Sequence, residues 1–286
     1  MTVPIEGLRT VALDSSHLQG AFALSAEADW NQTGADWKMM LAAGNAFGMV
    51  APDGRLVASA LTLPYGDAFG WISMVLVTPG WRNRGLAKKL LGRAIETLEQ
   101  ERLTPVLDST PAGEHVYRPL GFVPHFPFRR WAIDNAPDIR VSTPSGSRSR
   151  RLEKNGMAAA IAYDRGVFGG DRGAILNTLL ARSDGCARIA SGNGGYLLCR
   201  DGRVARQIGP VCADSPKIAI DLLDRALAEL TGPVIIDACD HQQAFADHLK
   251  ALGFKPQRSF LRMAKGRHEP FGDPERMFAL AGPELG

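Results

Sequence analysis

The sequence predicts an α/β protein made of two copies of one domain, and three observations predict it. First, Leu120-Gly121-Phe122-Val123-Pro124 returns as Leu252-Gly253-Phe254-Lys255-Pro256, an offset of 132 residues from Phe122 to Phe254. The same offset carries Phe128 to Phe260, Arg130 to Arg262, Leu90-Leu91 to Leu222-Leu223, Arg93-Ala94 to Arg225-Ala226, and Leu98 to Leu230. A repeat of that length is two copies of a domain, not a solenoid. Second, residues 135–148 are rich in Pro, Ser and Gly and lack apolar periodicity, which reads as a linker. Third, strand-like and helix-like runs alternate through both copies in similar order. The predicted boundaries are 1–134 for the first domain, 135–150 for the linker, 151–266 for the second domain and 267–286 for a tail. Pro270, Pro274 and Pro283 argue against one long helix in the tail, which either packs back on the body or frays.

In the first copy a strand is expected over residues 6–13. Helices follow over 15–29 and 33–43, the second with Thr33 as its N-cap. Strands over 47–51 and 56–63 flank Asp53-Gly54, a hairpin signal. The apolar run 71–77 is the next strand, followed by a helix over 85–101, a strand over 106–108 and a helix over 111–120. Pro119 threatens to end that helix early. A last strand covers 126–133. The second copy predicts strands at 188–190 and 196–200 and, after an Asp201-Gly202 turn, over 203–209. Then come a helix over 217–230, a strand over 233–238, a helix over 242–252 and a strand over 260–264.

Between the strand 71–77 and the helix after it lies Arg82-Asn83-Arg84-Gly85-Leu86-Ala87. Strand, short basic Gly-containing loop and helix form the layout of an anion site. N–H groups at a helix start lack internal partners and carry the positive end of the dipole. Gly85 permits close backbone approach, and Arg82 and Arg84 add charge. The hexamer resembles the cofactor loop of the GCN5-related N-acetyltransferases, Arg/Gln-x-x-Gly-x-Gly/Ala, with Arg82, Gly85 and Ala87 at the defined positions. That resemblance implies acetyl-CoA as cosubstrate. Its pyrophosphate would be held by Arg82, Asn83, Arg84, Gly85, Leu86, Ala87 and Lys88, and its pantetheine arm by the backbone of Met74, Val75, Leu76 and Val77. An N–H near Val75 would polarise the thioester carbonyl. It also implies the fold of each copy, a mixed, mostly antiparallel sheet flanked by helices.

Tyr117-Arg118-Pro119-Leu120-Gly121-Phe122 resembles the family's Tyr-x-x-x-Gly-Phe segment, which makes Tyr117 the expected general acid toward the departing thiolate. In the second copy the constant offset places Asp214 opposite Arg82, Lys217 opposite Gly85 and Leu249 opposite Tyr117. Only the first copy is therefore expected to bind CoA, so the chain is identified as a tandem-domain member with a degenerate C-terminal copy. The resemblance further implies direct attack by a neutral amine, without an acyl-enzyme, and no Ser/His or Cys/His nucleophile arrangement is evident.

The acceptor site is less legible. The segment from Glu27 to Asp36 joins the first two helices, a junction that borders the acceptor pocket in this fold. Trp30, Trp37 and Asn31 either line that pocket or pack a helix–helix turn. Ser73 stands on the strand that would face the acceptor. A general base could be Glu27, Asp29 or Asp36 acting through water, or come from the second copy. Asp164 and Phe168, in the Gly- and charge-dense stretch 163–172, either complete the pocket or belong to a structural Asp–Arg network.

Composition is that of a soluble globular chain, with 45% hydrophobic and 22% charged residues. A net charge of +3 is too small to argue for nucleic acid or a membrane surface. No apolar run suits a membrane helix and no signal peptide is visible, which predicts the cytoplasm. Cys186, Cys199, Cys212 and Cys239 form no C-x-x-C pair and have apolar neighbours, which predicts buried thiols rather than disulfides or metal ligands. The histidine spacing indicates no metal. The expected partner is a small-molecule amine, and oligomeric state is not readable. Two other classes remain: a CoA- or ligand-binding sensor without catalysis, and an enzyme of another nucleotide. The second lacks both G-x-G-x-x-G and G-x-x-x-x-G-K-[ST].

Overall fold

A computed structural model describes residues 7–139 and 149–286. They form a mixed α/β fold whose sheet pairings are mostly antiparallel. The start of the first predicted strand and most of the predicted linker lie outside the described residues. The chain divides into two compact units, Met1–Leu107 and Asp108–Gly286, so the division falls inside the first copy of the repeat rather than at the linker.

The first unit runs β1 (Arg9–Ala12), α1 (Leu18–Glu27), α2 (Gly34–Ala43), β2 (Asn45–Val50), β3 (Leu56–Tyr65), β4 (Phe69–Val77) and α3 (Leu86–Gln100), and enters β5 (Thr104–Ser109). β1 to β4 pair antiparallel in sequence order. β5 runs parallel to β4, but only from Phe69↔Thr104 to Trp71↔Val106. Thr33 caps α2 as predicted: its side chain accepts from the Asp36 N–H while the Asp36 carboxylate accepts from the Thr33 N–H. One core cluster joins Met49, Val57, Ala58 and Ala60 of the sheet to Trp81, Leu86 and Leu90.

The second unit holds the end of β5, α4 (Pro111–Tyr117), β6 (Phe122–Ile133), β7 (Ser149–Arg151), α5 (Met157–Phe168), α6 (Gly173–Ala181), β8 (Arg188–Ala190), β9 (Gly195–Arg200), β10 (Arg206–Ala213), α7 (Pro216–Leu227), β11 (Val234–Cys239), α8 (Gln243–Ala251), β12 (Lys255–Lys265) and β13 (Met277–Ala279). The last strands of the two copies are exchanged. β6, from the first copy, lies between β11 and β12 of the second and pairs antiparallel with both. Phe128 and Phe260, equivalent by the repeat, face each other in register with ring centroids 5.0 Å apart. Arg130 on β6 forms a bidentate pair with Asp237 of β11, and Arg262 on β12 forms one with Asp108 of β5. The conserved-looking Leu-Gly-Phe of each copy now has a physical reason. Gly121 and Gly253 take φ of +87° and +91° to end a helical segment, and the following Phe is buried, Phe122 as the first residue of β6 and Phe254 immediately before β12.

Several expectations are corrected. β6 begins at Phe122 and β12 at Lys255, earlier than predicted, because prolines in them are absorbed by register shifts beside His125 and Gln257. β10 runs Arg206–Ala213, through Pro210, rather than over 203–209. α4 stops at Tyr117, and a 3-10 turn Arg118–Leu120 carries Pro119. Ser149 and Arg150, assigned to the linker, belong to β7. Of the two outcomes left open for the tail, it packs, with Met277, Phe278, Ala279, Leu280 and Ala281 buried. Cys186 and Cys199 are joined in a disulfide, not free thiols, while Cys212 and Cys239 are buried thiols as expected. The β8–β9 pairing brings that pair to a Cα separation of 6.5 Å, a cross-strand proximity that spacing alone cannot reveal.

Candidate active site

The central feature of the first unit is an irregularity in β4. Ser59 opposes Leu76 and Leu61 opposes Ser73, so Met74 and Val75 together face Ala60. This is a β-bulge, with Met74 at φ +53°, a conformation that costs a non-glycine residue about 1–2 kcal/mol. The Ser59 hydroxyl fastens it by donating to the Met74 carbonyl at 2.8 Å in the buried interior. A bulge turns the backbone groups of Met74 and Val75 out of the regular ladder. Met74 and Leu76 are buried, and Val75 and Val77 are half-buried. Ser73 is buried, and among the described residues its hydroxyl has no hydrogen-bond partner.

After β4, Thr78 donates to the Val57 carbonyl and a 3-10 turn, Pro79–Trp81, drives Trp81 into the core. Arg84 lies over the Trp81 ring at 5.1 Å and donates to the Gly80 carbonyl, while Arg82 donates from Nε to the Val77 carbonyl at 3.0 Å. The loop is thus held by its own arginines and an indole anchor, with Arg82, Asn83, Ala87 and Lys88 exposed. Gly85 takes φ +75° as the residue before α3 and supplies no side-chain cap. The N–H groups of Leu86, Ala87 and Lys88 open a 15-residue helix at its positive end, where an anion is favoured. Trp81 and Ser59 were missed by the sequence reading. Trp81 carried a weak signal as an aromatic residue beside a basic loop, whereas Ser59 carried none.

Tyr117, in the second unit, ends α4 half-buried, with its ring edge-on to Phe122 at 5.9 Å. Among the described residues its hydroxyl makes no hydrogen bond, and burial pushes its pKa above the ordinary phenol value. Its repeat counterpart, Leu249, is wholly buried core.

At the junction of α1 and α2, Asn31 and Gln32 are buried and Trp30 is half-buried. Trp37 is core: its indole donates to Ser25 Oγ at 2.9 Å and ties the two helices together. Asp36 is engaged in the cap of α2, whereas Glu27 and Asp29 are exposed carboxylates near the end of α1. In the second unit Asp164 and Phe168 come together with Arg172. The Arg172 guanidinium forms a bidentate pair with Asp164 and lies over the Phe168 ring at 3.8 Å, and the Tyr196 hydroxyl bonds the same carboxylate. Of the two readings open for this stretch, the Asp–Arg network is the one these side chains form.

The expected opposition of Asp214 to Arg82 is corrected. Thr78 to Gly85 separate β4 from α3, but only Asp214 and Ser215 separate β10 from α7. The loop itself is missing from the second copy, and Arg82 has no counterpart there. No group of three or more His, Cys, Asp or Glu that could hold a metal ion occurs among the described residues, and no described helix is long and apolar enough to cross a membrane.

Comparison with known proteins identifies the class, an acyl-CoA-dependent acyltransferase. The Acetyltransferase (GNAT) family model matches residues 15–122 and an Acetyltransferase (GNAT) domain model matches residues 160–279. The chain belongs to the GCN5-related N-acetyltransferases and carries two such domains in tandem. It is 28% identical over 238 residues to a holothin acyltransferase of Pseudoalteromonas sp. (strain SANK 73390), covering 80% of this chain and 78% of that one. It is 24% identical over 249 residues to the uncharacterized N-acetyltransferase YitH of Bacillus subtilis (strain 168), covering 85% and 86%. Among solved structures, a putative acetyltransferase from Pyrococcus horikoshii superposes with a TM-score of 0.81 at 19% identity, over 99% of this chain and 98% of that one. A tandem GNAT protein from the clavulanic acid biosynthesis pathway gives 0.60 at 16% identity, over 93% and 99%.

Proposed function

We propose that the chain transfers an acetyl group from acetyl-CoA to the amine of a small molecule, using the first copy alone. The observation that carries this reading is the β4 bulge followed by an uncapped, arginine-braced helix start. The pyrophosphate would lie on residues 82–88 and the pantetheine arm along Met74–Val77. The Val75 N–H, turned out of the ladder, would donate to the thioester oxygen as the neutral amine attacks. Tyr117 supplies the matching acid. With its hydroxyl making no hydrogen bond among the described residues and its pKa raised, it would stay protonated and could hydrogen-bond the sulfur as the C–S bond breaks. The attacking amine loses its proton to water or to an exposed carboxylate, of which Glu27 and Asp29 are candidates. Ser73, Asn31 and Trp30 are proposed as acceptor contacts, and Asp164 and Phe168 as support within the second copy. A small-molecule acceptor is favoured by the relative named for acylation of holothin. The protein is proposed to act in the cytoplasm.

Calorimetric titration with acetyl-CoA, followed by an amine screen reading release of free CoA thiol, tests the proposal. One site per chain is expected, with Arg82→Glu weakening binding by about tenfold or more, the scale of one lost charge-assisted contact. Tyr117→Phe should lower kcat by about 10- to 100-fold with little change in acetyl-CoA affinity. Unchanged turnover would remove Tyr117 from the acid role.

A further inference from the structure

The second copy repeats the strand geometry of the first. β10 runs parallel to β11 from Arg206↔Val234 to Ile208↔Ile236, and there the direct pairing stops. β10 then bulges: Ile208 opposes Cys199 and Val211 opposes Leu197, leaving Gly209 and Pro210 across from Leu198. Parallel pairing that ends, followed by a bulge, is the pattern of β4 with β5. In the first copy no further strand of the described residues pairs with β4 on that side. In the second, β13 enters. It pairs antiparallel with β10 at Val211↔Ala279 and Cys212↔Met277, and with β11 at Ala238↔Ala279.

The fit is close. The Leu280 N–H donates to the Asp237 carbonyl at 2.9 Å, and a Cβ added at Gly209 would lie 1.9 Å from the Leu280 carbonyl oxygen. Phe278 packs edge-on to Phe245 in the core, and Arg200 donates to the Ala281 carbonyl and pairs with the Glu284 carboxylate. The helix start is closed as well. Ser215 caps α7 with its own side chain, Pro216 follows, and Asp214 bonds the Tyr163 hydroxyl and Arg276.

We propose that residues 277–281 are the built-in occupant of the second copy's former cofactor gap, a peptide that takes up the main-chain partners of β10 where β4 would offer its own to a pantetheine arm. The second copy is then closed to acyl-CoA by the chain itself, and each chain has one acyl-CoA site. The inference rests on the reading of β4 and residues 82–88 as the cofactor site of the first copy.

Hydrogen–deuterium exchange of the full chain, with and without saturating acetyl-CoA, tests it beside calorimetric stoichiometry. The expected result is slow exchange at 277–281 that acetyl-CoA leaves unchanged, slowed exchange at 82–88, and one site per chain. Two sites per chain, faster exchange at 277–281 on adding acetyl-CoA, or fast exchange there without it would each overturn the inference. Failure of the reading of the first copy looks different: no change at 82–88 and no binding, with 277–281 still slow.

Discussion

Gly85 and Tyr117 are the residues on which the proposed chemistry turns most directly. Gly85 holds φ +75° with open space where a Cβ would go, so Gly85→Ala meets no clash and carries only the cost of the left-handed backbone, about 1–2 kcal/mol. Relaxing that strain moves the first N–H groups of α3. We expect acetyl-CoA affinity to fall several-fold while the thermal midpoint drops by a few degrees at most. A variant that binds as tightly as the parent would show that the helix start does not hold the cofactor. Tyr117 makes a prediction about pH. Its pKa is raised, so its proton is retained up to and beyond the ordinary phenol value of about 10. The Tyr117→Phe profile of kcat/KM should lie lower but keep the shape of the parent's between about pH 7 and 9. An alkaline decline in the parent that vanishes in Tyr117→Phe would contradict this.

At the scale of elements, the β4 bulge is the part of the site that no local pattern announced. Residues 71–77 read as an ordinary apolar strand, and Met74 is not a residue that suggests φ +53°. The bulge is imposed by the neighbouring strand, through register and through the Ser59 hydroxyl. Ser59→Ala should therefore cost about 1 kcal/mol of stability, the worth of a buried hydrogen bond, by denaturant titration. It should also lower turnover by more than that loss of folded protein explains. Turnover equal to the parent's would mean the bulge needs no such fastening. The loop and its helix were legible because a glycine, two arginines and an apolar strand in one order admit few structures. The acceptor side was not, because the partners of Trp37 and Asp164 lie outside their own helices, at Ser25 for the first and at Arg172 and Tyr196 for the second. Sequence spacing shows such residues without showing what they touch.

For the molecule as a whole, the repeat was visible but the exchange of strands was not, since offset matching compares residues without saying which copy they pair with. The exchange explains why the compact units divide at Leu107 and Asp108 rather than at the linker. It also buries ion pairs. Asp108 sits against Arg262, but burial outweighs the guanidinium and lifts its carboxyl from 3.8 to about 6. A carboxyl with a raised folded-state pKa favours the fold most below its unfolded value, and that contribution is lost as pH rises through the folded one. Stability should therefore decline from about pH 4 to 6 on account of this group, and Asp108→Asn should flatten that part of a denaturant-midpoint profile. An identical slope in both proteins would assign the dependence elsewhere.

The position of β6 between β11 and β12 has one more consequence. A protease cut within residues 140–148 would break the chain without parting it, giving two bands on a denaturing gel and one particle by gel filtration. Like a clasp, the two copies can be nicked but not unthreaded while folded. A gene fragment encoding either copy alone would make a protein with a strand deprived of its neighbours. Ancestry could thus let the second copy lose its ligand while leaving it indispensable to the first.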